Sequence, residues 1–368
     1  MDQLTTDVCI AGRGPAGIIA ARQLVLAGFS VIIIDNPSHK IHKFGETLPG
    51  SAIRLLTKLG LQSVIEALQK DQNLHQDYSP RVSGNMSFWG SETALFTDAL
   101  QDPYGFGLRI DRQVFDALLA QHAQIDKIPQ FSTNILDLKK IDNNWNVHLE
   151  CGTSISAKWI IDATGRSAKI SRLLGIERHR GIPLVALYRS CTPEKNISFN
   201  KTIISSDKNG WLYAGKISES HWVMGYHTTP KTASTLHNNA QNWNSILGKN
   251  TTISGLLGHL ELKKDIYAHD VRSAWLKQGL GDGWIACGDA LLAFDPIAGQ
   301  GLFNAIYTGM KAVENIIQSA KDKHSQAQYL AEINRVIKTY ENRRYALYKQ
   351  EQRWLNSAFW KAHQTTTD

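Results

Sequence analysis

The sequence predicts an α/β protein with a mostly parallel sheet, a second antiparallel sheet and helices at its C-terminal end. Three observations predict this class. A strand-turn-helix-strand pattern with three closely spaced glycines in its first turn lies at residues 6–35, and a second glycine-bearing strand-turn-helix corner lies at residues 283–317. Aromatic-rich stretches between the two corners alternate in polarity, as strands do. The 368 residues are enough for one large or two interleaved domains with a sizeable cavity.

The first glycine-rich corner is typical of a dinucleotide-binding βαβ unit. The run "VCIA" predicts a buried strand, apolar residues at helical spacing follow it, and "SVIIID" predicts a second buried strand. In the G-x-G-x-x-G motif, Gly12 permits the tight turn, Gly14 lets the backbone approach a pyrophosphate, and Gly17 lets the helix lie close to the strand. The helix that starts around Pro15 and Ala16 directs its amides and positive dipole end at the phosphates. The Rossmann-like fold follows from this arrangement.

Asp35 ends the second predicted strand, where its carboxylate can accept hydrogen bonds from a ribose. The glycine triplet, its flanking elements and this acid together predict a dinucleotide site. They do not say which dinucleotide, because FAD and NAD share an adenosine diphosphate half. The distinction has to come from another part of the chain.

The distant corner "CGDALLAFDPIAGQGL" makes that distinction. Asp289 can hydrogen-bond a polyol, Pro296 stiffens the loop, and Gly299 and Gly301 let bare backbone lie against a flat ring. The helix from Leu302 directs its positive end at that ring and would stabilise the negative charge of a reduced isoalloxazine near N1. A nicotinamide has neither a ribityl chain nor this charge. The two corners together therefore predict FAD.

Five motifs in order resemble the FAD-dependent monooxygenase superfamily, group A, with the para-hydroxybenzoate-hydroxylase-type fold and particularly its halogenase-like branch. These are "GRGPAG", "GETLPGSAIRLLTKLGL", "GLRIDRQVFDALL", "IIDATGRSAKISRLLG" and "GDALLAFDPIAGQGL", and they cover most of the chain. The resemblance implies a Rossmann-like FAD-binding domain of the glutathione-reductase type with an interleaved antiparallel β-sheet substrate domain and C-terminal helices. The expected ranges are residues 1–76, 109–180 and 272–322 for the FAD-binding domain, 77–108 and 181–271 for the substrate domain, and 323–368 for the C-terminal helical segment.

The resemblance also implies cofactor contacts outside the glycine motifs. Glu46 and Thr47, in "GETLPG", belong to a strap that passes beside the flavin in the halogenase-like branch, and Arg112 would face the phosphate side. Two alternatives stay open: Arg112 could only cap or salt-bridge its helix, and Glu46 could be an exposed turn acid. Arg166 is expected to orient a turn rather than to act in catalysis. The expected cofactor-binding residues are Gly12, Gly14, Pro15, Ala16, Gly17, Asp35, Glu46, Thr47, Arg112, Gly165, Asp289, Pro296, Gly299, Gln300, Gly301 and Leu302.

Alternation in the predicted substrate domain places aromatic side chains on faces of a sheet. Trp211 and Tyr213 alternate in one probable strand, and Trp222, Met224 and Tyr226 alternate in the next. Whether either set meets a substrate or only packs the core stays open. The polar groups taken as catalytic candidates are Glu46, Tyr213 and His227.

The LodB-like and GoxB-like flavoproteins are the family that the chain resembles most closely overall. Proteins of that family have a similar length and a "GETLPG"-type strap, and they mature quinoprotein amino-acid oxidases that carry cysteine tryptophylquinone. The resemblance implies a modifying enzyme that oxygenates a tryptophan side chain in the precursor of such an oxidase. Its co-substrates would be molecular oxygen and an electron donor such as NAD(P)H.

Two other functions stay open. One is a group A flavin hydroxylase of a small free aromatic, either a phenol or an indole, and the other is a flavin-bearing binding or chaperone-like partner without turnover. The sequence lacks the W-x-W-x-I-P stretch typical of flavin halogenases that act on tryptophan, which argues against halogenation.

Composition and charge set the remaining expectations. The net charge of +7 permits nucleic-acid binding, but the basic residues are mostly dispersed, so no nucleic-acid partner is expected. No basic leader precedes a long apolar run and no stretch reaches the length of a membrane span, which predicts a cytoplasmic protein without a membrane partner. Histidines and cysteines do not occur at ligand spacing, so no metal is expected.

The C-terminal stretch has apolar residues at helical spacing. Leu347, Glu351, Trp354, Leu355 and Phe359 are separated by intervals that predict one helix face, with basic residues on the other. A closing helix packed on the body is the simpler interpretation. A docking surface for an anionic face of another protein stays open.

Overall fold

The computed structural model describes residues 3–36, 43–70, 80–194, 197–218, 220–237, 243, 245–246, 250–319 and 325–365. The described strands are β1 (Gln3–Ala11), β2 (Val31–Ile34), β3 (Thr47–Leu48), β4 (Arg81–Val82), β5 (Gly84–Phe88), β6 (Leu95–Asp98), β7 (Gly107–Arg109), β8 (Gln130–Phe131), β9 (Ile135–Ile141), β10 (Asn144–Leu149), β11 (Ser154–Asp162), β12 (Arg178–Arg180), β13 (Val185–Pro193), β14 (Thr202–Asp207), β15 (Gly210–Lys216), β16 (Trp222–Thr228), β17 (Leu260–Leu262), β18 (Tyr267–Asp270), β19 (Ala274–Leu276), β20 (Leu280–Gly281), β21 (Trp284–Ala286) and β22 (Leu292–Ala293). The described α-helices are α1 (Pro15–Leu26), α2 (Gly50–Lys58), α3 (Gln62–Lys70), α4 (Arg112–His122), α5 (Lys169–Leu173), α6 (Pro230–His237), α7 (Thr251–Leu257), α8 (Gly301–Ser319), α9 (Ser325–Lys349) and α10 (Ala358–His363).

The first large sheet has the strand order β20-β21-β11-β1-β2-β8, extended from β11 by β10 and β9. Strand β1 pairs in parallel with both β2 and β11, and β11 pairs in parallel with β21. The residues of β2 and β21 are all buried, which explains why these strands read as continuous apolar runs. Helix α8 packs closely on α1 at Gly309. A Cβ at this position would be only 2.5 Å from the carbonyl oxygen of Ala16 in α1.

The parallel strands bring distant loops to one edge of this sheet. Strand β1 ends at Ala11, β11 at Asp162 and β21 at Ala286, and the registers align these three ends. Backbone hydrogen bonds continue beyond the ends: the Ala163 N–H donates to the Ala11 carbonyl at 2.8 Å, and the Cys287 N–H donates to the Asp162 carbonyl at 2.9 Å. Both glycine-rich corners therefore begin at the same edge, where ligands of open α/β sheets bind.

The second large sheet has the order β17-β13-β16-β15-β14-β5-β6, and β18 also pairs with β13. Its pairs are antiparallel except β14 with β5. These strands come from residues 84–98 and 185–270. The expected division into domains stays a prediction, and its boundaries at 76/77 and 322/323 lie outside the described residues.

Cross-strand register places the two aromatic sets on opposite faces of this sheet. Trp211 lies opposite His227 and Tyr213 lies opposite Gly225, so these four positions share one face. That face packs against aromatic side chains of the C-terminal helices, including the buried Tyr348. The other set packs in a separate core with α6 and α7, and its members are Trp222, Met224 and Tyr226.

The expected single helix face over residues 347–359 is wrong. Helix α9 ends at Lys349, turns follow, and α10 begins only at Ala358. Leu355 is 48% exposed, whereas the Glu351 side chain is fully buried. The physical reason is that Glu351 has better partners outside a helix, on the second sheet and its flanking loop.

The buried carboxylate of Glu351 attaches the C-terminal segment to the second sheet. Its Oε2 accepts hydrogen bonds from the Gly90 N–H at 2.9 Å, the Ser206 hydroxyl at 2.6 Å and the Arg353 guanidinium at 2.7 Å. Burial raises the pKa of Glu351, but the hydrogen bonds from Arg353 and Ser206 lower it more, so the net shift is below the usual 4.5. The ionised form is therefore the one that stabilises the fold.

We expect Glu351→Gln to lower the free energy of unfolding by about 2 kcal/mol at neutral pH, since charged hydrogen bonds are replaced by weaker ones. A carboxyl whose folded pKa is depressed contributes stability above its unfolded pKa, and this contribution disappears as pH falls through the folded value. The difference between wild type and variant should therefore shrink below about pH 4.5. Urea unfolding at several pH values measures this difference in the free energy of unfolding, and the exposed Glu66→Gln is the control. A difference that does not depend on pH would contradict this account.

Candidate active site

The first glycine turn combines close packing with open space. Gly12 has φ +105°, and a Cβ there would overlap the carbonyl oxygen of Ala163. A Cβ at Gly17 would overlap the carbonyl oxygen of Gly12, so the helix and the turn touch at this point. A Cβ at Gly14 would meet nothing within 4 Å. Two glycines therefore serve packing, and the third borders a space in front of the turn.

That space lies at the N-terminus of α1. Gly14 is the N-cap residue, and no side chain caps the helix. The first turn, which begins with Pro15 and Ala16, has no acidic residue. The first N–H groups of a helix have no partners within it, and the helix dipole favours an anion there. The corner thus has the geometry of a phosphate-binding helix start.

Asp35 lies at the side of this turn, directly after β2. Its Oδ1 accepts a hydrogen bond from the Arg13 N–H at 3.1 Å, which ties the glycine turn to the second strand. A shallow cleft beside it is lined by Arg13, Asp35, Gln130 and Phe131 among others. A carboxylate at the end of this strand can accept hydrogen bonds from a ribose.

The second glycine corner is similarly open. The Asp295 carboxylate accepts a hydrogen bond from the Ile297 N–H at 3.0 Å and so shapes the turn Pro296–Ala298. Gly299 follows with φ +62°, a backbone conformation that favours glycine. A Cβ at Gly299 or Gly301 would meet nothing within 4 Å, so Gln300 lies between two positions that face free space. This space is at the start of α8, where Leu302 is buried.

Arg166 connects the loops beneath this corner. Its guanidinium donates to the carbonyl oxygens of Arg272 at 2.7 Å and Phe294 at 2.9 Å, and its Nε lies 3.6 Å from a carboxylate oxygen of Asp289. Gly165, with φ +64°, begins the turn that carries Arg166. The Asp289 side chain is 37% exposed and remains accessible at the sheet edge.

Arg112 makes both a helix ion pair and a contact with the strap. It is the first residue of α4, and its Nη2 lies 3.4 Å from Asp116 four residues later. Its Nη1 donates to the Phe44 carbonyl at 3.0 Å, directly before "GETLPG". Its buried Nε has no hydrogen-bond partner among the described residues. Arg112 therefore holds the strap and retains one donor for another group.

The strap carries a buried polar cluster, here called the Glu46 cluster and consisting of Glu46, Arg109 and Tyr213. Glu46 is only 6% exposed, so the alternative of an exposed turn acid is wrong. The Tyr213 hydroxyl donates to Glu46 Oε2 at 2.9 Å, and Arg109 Nη1 donates to Thr47 Oγ1 at 2.8 Å and to the Tyr213 hydroxyl oxygen at 3.3 Å. Arg109 Nη2 donates to Thr202 at 3.3 Å.

Two polar atoms of the Glu46 cluster have no partner within the described chain: Glu46 Oε1 and Arg109 Nε. A buried unsatisfied oxygen on a carboxylate is costly and needs an explanation such as a bound group. Burial, followed by the charge of Glu46, raises the pKa of Tyr213 well above 10, so the phenol stays protonated and acts as a donor. Gly215 makes room for the cluster, since a Cβ there would lie 2.6 Å from the Tyr213 hydroxyl.

Sequence reasoning missed Arg109 as a site residue. It lies in "GLRIDRQVFDALL", where Arg112 received the attention, and its side chain is 1% exposed. The available signal was an arginine in the short apolar run "GLRI", which directly precedes Asp111. Asp111 caps α4 by accepting from the Gln113 and Val114 N–H groups. A charged residue inside such a run is seldom buried without partners.

The third catalytic candidate, His227, lies in an aromatic layer rather than in the Glu46 cluster. Its ring stacks on Trp211 with centroids 3.5 Å apart, and its Nε2 is 3.4 Å from the Tyr188 hydroxyl. Tyr188 in turn stacks on Phe44, which directly precedes the strap, with ring centroids 4.1 Å apart. Burial lowers the pKa of His227 to about 3, so the imidazole is neutral near pH 7. His227 is therefore not a charged acid. It belongs to an apolar aromatic wall, which consists of Phe44, Tyr188, Trp211 and His227.

The described residues contain neither a metal-binding cluster nor a helix that could span a membrane. No group of three or more His, Cys, Asp or Glu side chains there could hold a metal ion. No described helix combines the length and the apolar composition that crossing a bilayer requires.

Two glycine corners at one sheet edge, each with open space at a helix start, define a dinucleotide-binding flavoprotein fold. Residues 5–350 match the family model described as FAD binding domain, and the chain belongs to this family. It is an FAD-dependent oxidoreductase with the fold of the flavin-dependent halogenases and monooxygenases.

Three further comparisons show what the chain is similar to. It is 25% identical over 366 residues to the putative FAD-dependent oxidoreductase LodB of Marinomonas mediterranea, covering 96% of both chains. Its structure resembles CmlS, a flavin-dependent halogenase, with TM-score 0.85 and 22% identity over 100% of this chain and 68% of that one. It also resembles the peptidyl tryptophan dihydroxylase QhpG, essential for tryptophylquinone cofactor biogenesis, with TM-score 0.75 and 19% identity over 99% of this chain and 80% of that one. The structural likenesses show a shared fold.

Proposed function

We propose that this enzyme oxygenates a tryptophan side chain in the precursor of a quinoprotein amino-acid oxidase, during maturation of its cysteine tryptophylquinone. The similarity to LodB over nearly the whole chain and the fold shared with a peptidyl tryptophan dihydroxylase support this proposal. The observation that carries it is the Glu46 cluster. A buried carboxylate with one unpartnered oxygen lies beside an aromatic wall, on the strap expected to pass the flavin.

The glycine corners fit FAD, since each borders space that a Cβ would enter without meeting protein. We assign the pyrophosphate to the start of α1, the adenosine ribose to Asp35, and the isoalloxazine to the backbone at Gly299 and Gly301. Asp289 would bind the ribityl region. FAD bound here and reduced by a donor such as NAD(P)H would activate molecular oxygen, so that one oxygen atom goes to the substrate and the other leaves as water.

In this proposal, Glu46 is the general base that accepts the proton lost by the indole carbon during oxygenation. Adding an electrophilic oxygen to an indole carbon leaves the ring positively charged, and the ring must then lose the proton of that carbon. Glu46 Oε1 accepts this proton, because Oε2 already accepts the Tyr213 hydroxyl. Arg109 positions both neighbours of the carboxylate, Thr47 and Tyr213, by direct hydrogen bonds.

The aromatic wall serves to keep water away from the reaction. Phe44, Tyr188, Trp211 and His227 are stacked or in edge contact, and Trp211 and His227 are almost completely buried. A dry site preserves activated oxygen and strengthens the interaction of Glu46 with a developing positive charge. A neutral His227 suits this role, since it adds no charge of its own.

Co-expression of the chain with the oxidase precursor tests the proposal. We expect tryptic mass spectrometry to find oxygen added to a precursor tryptophan, and no addition with the FAD-binding variant Gly14→Val. The assay contains bromide, so that a halogenated tryptophan would be detected and would overturn the oxygenase assignment. An unmodified precursor together with rapid NAD(P)H-dependent hydroxylation of free phenol or indole would replace the proposal with small-molecule hydroxylation.

A further inference from the structure

An exposed apolar stretch lies at one edge of the second sheet. Five of the twelve exposed large hydrophobic residues in the described part of the chain fall within residues 95–106, here called the edge segment. Leu95 is 68% exposed, Phe96 58% and Leu100 77%, and Tyr104 and Phe106 follow. Single exposed apolar residues are ordinary, but a concentration of this kind marks an interaction site.

The edge segment begins with a strand that has an unpaired side. Within the described chain, β6 pairs only with β5, with Leu95 opposite Ser87 and Phe96 opposite Met86. Leu95, Phe96 and Thr97 are all exposed, so neither face of β6 is covered. Proteins usually protect such edges with lysine, proline or a covering element. The residues of β6, "LFTD", include neither lysine nor proline. An exposed apolar edge suits the addition of an extended peptide strand.

The charge at the edge segment indicates which kind of peptide strand would bind beside β6. Residues 90–108 themselves carry Glu92, Asp98 and Asp102 and no lysine or arginine, although the whole chain has a net charge of +7. The guanidinium of Arg54, from α2, also lies at this segment, where it is engaged with the Pro103 carbonyl and the Tyr104 ring. The carboxylates of Asp98 and Asp102 accept hydrogen bonds from the N–H groups of Leu100 and Tyr104, which fixes Asp98 at the end of β6 and Asp102 in the loop that follows. A complementary strand is therefore apolar with basic residues beside it.

The edge segment is anchored and leads directly to the Glu46 cluster. The Arg54 guanidinium donates to the Pro103 carbonyl at 3.2 Å, and a Cβ at Gly50 would be 2.6 Å from the Tyr104 carbonyl oxygen, so the segment packs on α2. Phe106 directly precedes β7, whose last residue is Arg109. Three extended residues span about 10 Å. Strand β6 is three strands from β15, which carries Tyr213, or about 14 Å at the usual strand spacing, so a strand held at β6 would keep adjoining parts of its own chain within reach of the site.

We propose that the edge segment docks an extended, apolar stretch of the precursor protein, flanked by lysine or arginine, as an added strand beside β6. This inference rests on the proposed function, because it supplies the contact by which a protein substrate is recognised away from its reacting tryptophan.

Binding of model peptides tests the docking site without requiring turnover. The probe is a fluorescent peptide of alternating valine and threonine with lysines at both ends, added to the FAD-loaded chain. We expect Phe96→Lys and the charge reversal Asp102→Lys each to weaken binding at least tenfold, and glutamate-flanked or backbone N-methylated peptides to bind at least tenfold more weakly than the probe. The matched control is Leu136→Lys, which alters a residue 57% exposed on β9, another strand with one described partner.

Equal binding of the lysine-flanked and glutamate-flanked peptides, or unchanged binding by Phe96→Lys, would overturn the docking site. So would a dimer of the wild type that dissociates in Phe96→Lys during sedimentation, because the occupant would then be a second copy of this chain. The co-expression assay separates the two proposals. Peptide binding without precursor oxygenation would refute only the proposed function, whereas full oxygenation by FAD-loaded Phe96→Lys would refute only the docking site.

Discussion

Replacing Gly14 by valine is expected to yield a folded protein that no longer retains FAD. A Cβ at this position meets nothing within 4 Å, and the backbone angles of φ −79° and ψ 179° suit any residue. The fold should therefore lose no more than about 1 kcal/mol, the order of an N-cap change. In the holoenzyme the same space holds the pyrophosphate in our assignment, so a branched side chain there displaces the ligand.

We expect the dissociation constant of FAD to rise at least about 100-fold, which corresponds to about 2.7 kcal/mol. Flavin fluorescence titration measures it, and circular dichroism and thermal unfolding report the fold. Gly17→Val is the contrasting variant, because its side chain would overlap the Gly12 carbonyl and should prevent the native packing of α1. Gly255→Ala, another glycine with free space around its Cβ position, controls for the loss of a glycine. A yellow Gly14→Val protein with unchanged affinity would refute the placement of the pyrophosphate.

Glu46→Gln is expected to lower tryptophan oxygenation by about 10²–10⁴-fold, the range for loss of a general base. The amide is nearly isosteric and can still accept the hydrogen bond from Tyr213, but it cannot take a proton from the indole. Binding of FAD should stay within a few-fold of wild type, since the pyrophosphate and ribose positions are unchanged. Single-turnover conversion of the precursor, followed by mass spectrometry, measures the rate.

Two companion variants distinguish chemistry from structure in this experiment. Glu66→Gln changes an exposed glutamate on α3 and should leave the rate unaltered. Tyr213→Phe removes the donor to Glu46 Oε2 but keeps the carboxylate, so we expect a smaller loss of rate than with Glu46→Gln. If Glu46→Gln retains FAD and still matures the precursor at the wild-type rate, Glu46 is not the base. Maturation that also persists when flavin reduction is blocked would indicate a binding partner without turnover.

Local signals were sufficient for the cofactor and the fold class. The glycine turn at Gly12, the acid at Asp35 and the corner around Gly299 each depend on residues within a few positions of one another. Such patterns report backbone requirements that neighbouring residues impose directly. The family match over residues 5–350 confirms FAD, and the individual contacts assigned to these residues stay predictions.

The active-site environment required long-range information. Glu46 could equally have been an exposed turn acid, and only the approach of β15 to the strap buries it against Tyr213, 167 residues later. Arg109 was missed because its place in a short apolar strand suggests burial but does not show which distant side chains bind its guanidinium; these are Thr47, Tyr213 and Thr202. The predicted helix face after Leu347 failed because Glu351 finds partners on a distant loop and strand, at Gly90 and Ser206.

The sequence by itself determined an α/β flavoprotein with two glycine-rich strand-to-helix corners, because glycine spacing and strand-helix periodicity express local backbone geometry. Only the tertiary structure decided which aromatic set of the second sheet faces the strap and which packs the core. It also decided that Glu46, Arg109 and Tyr213 form one buried cluster. These outcomes depend on strand register and on contacts between residues far apart in the chain, and such contacts leave no periodic trace in a single sequence.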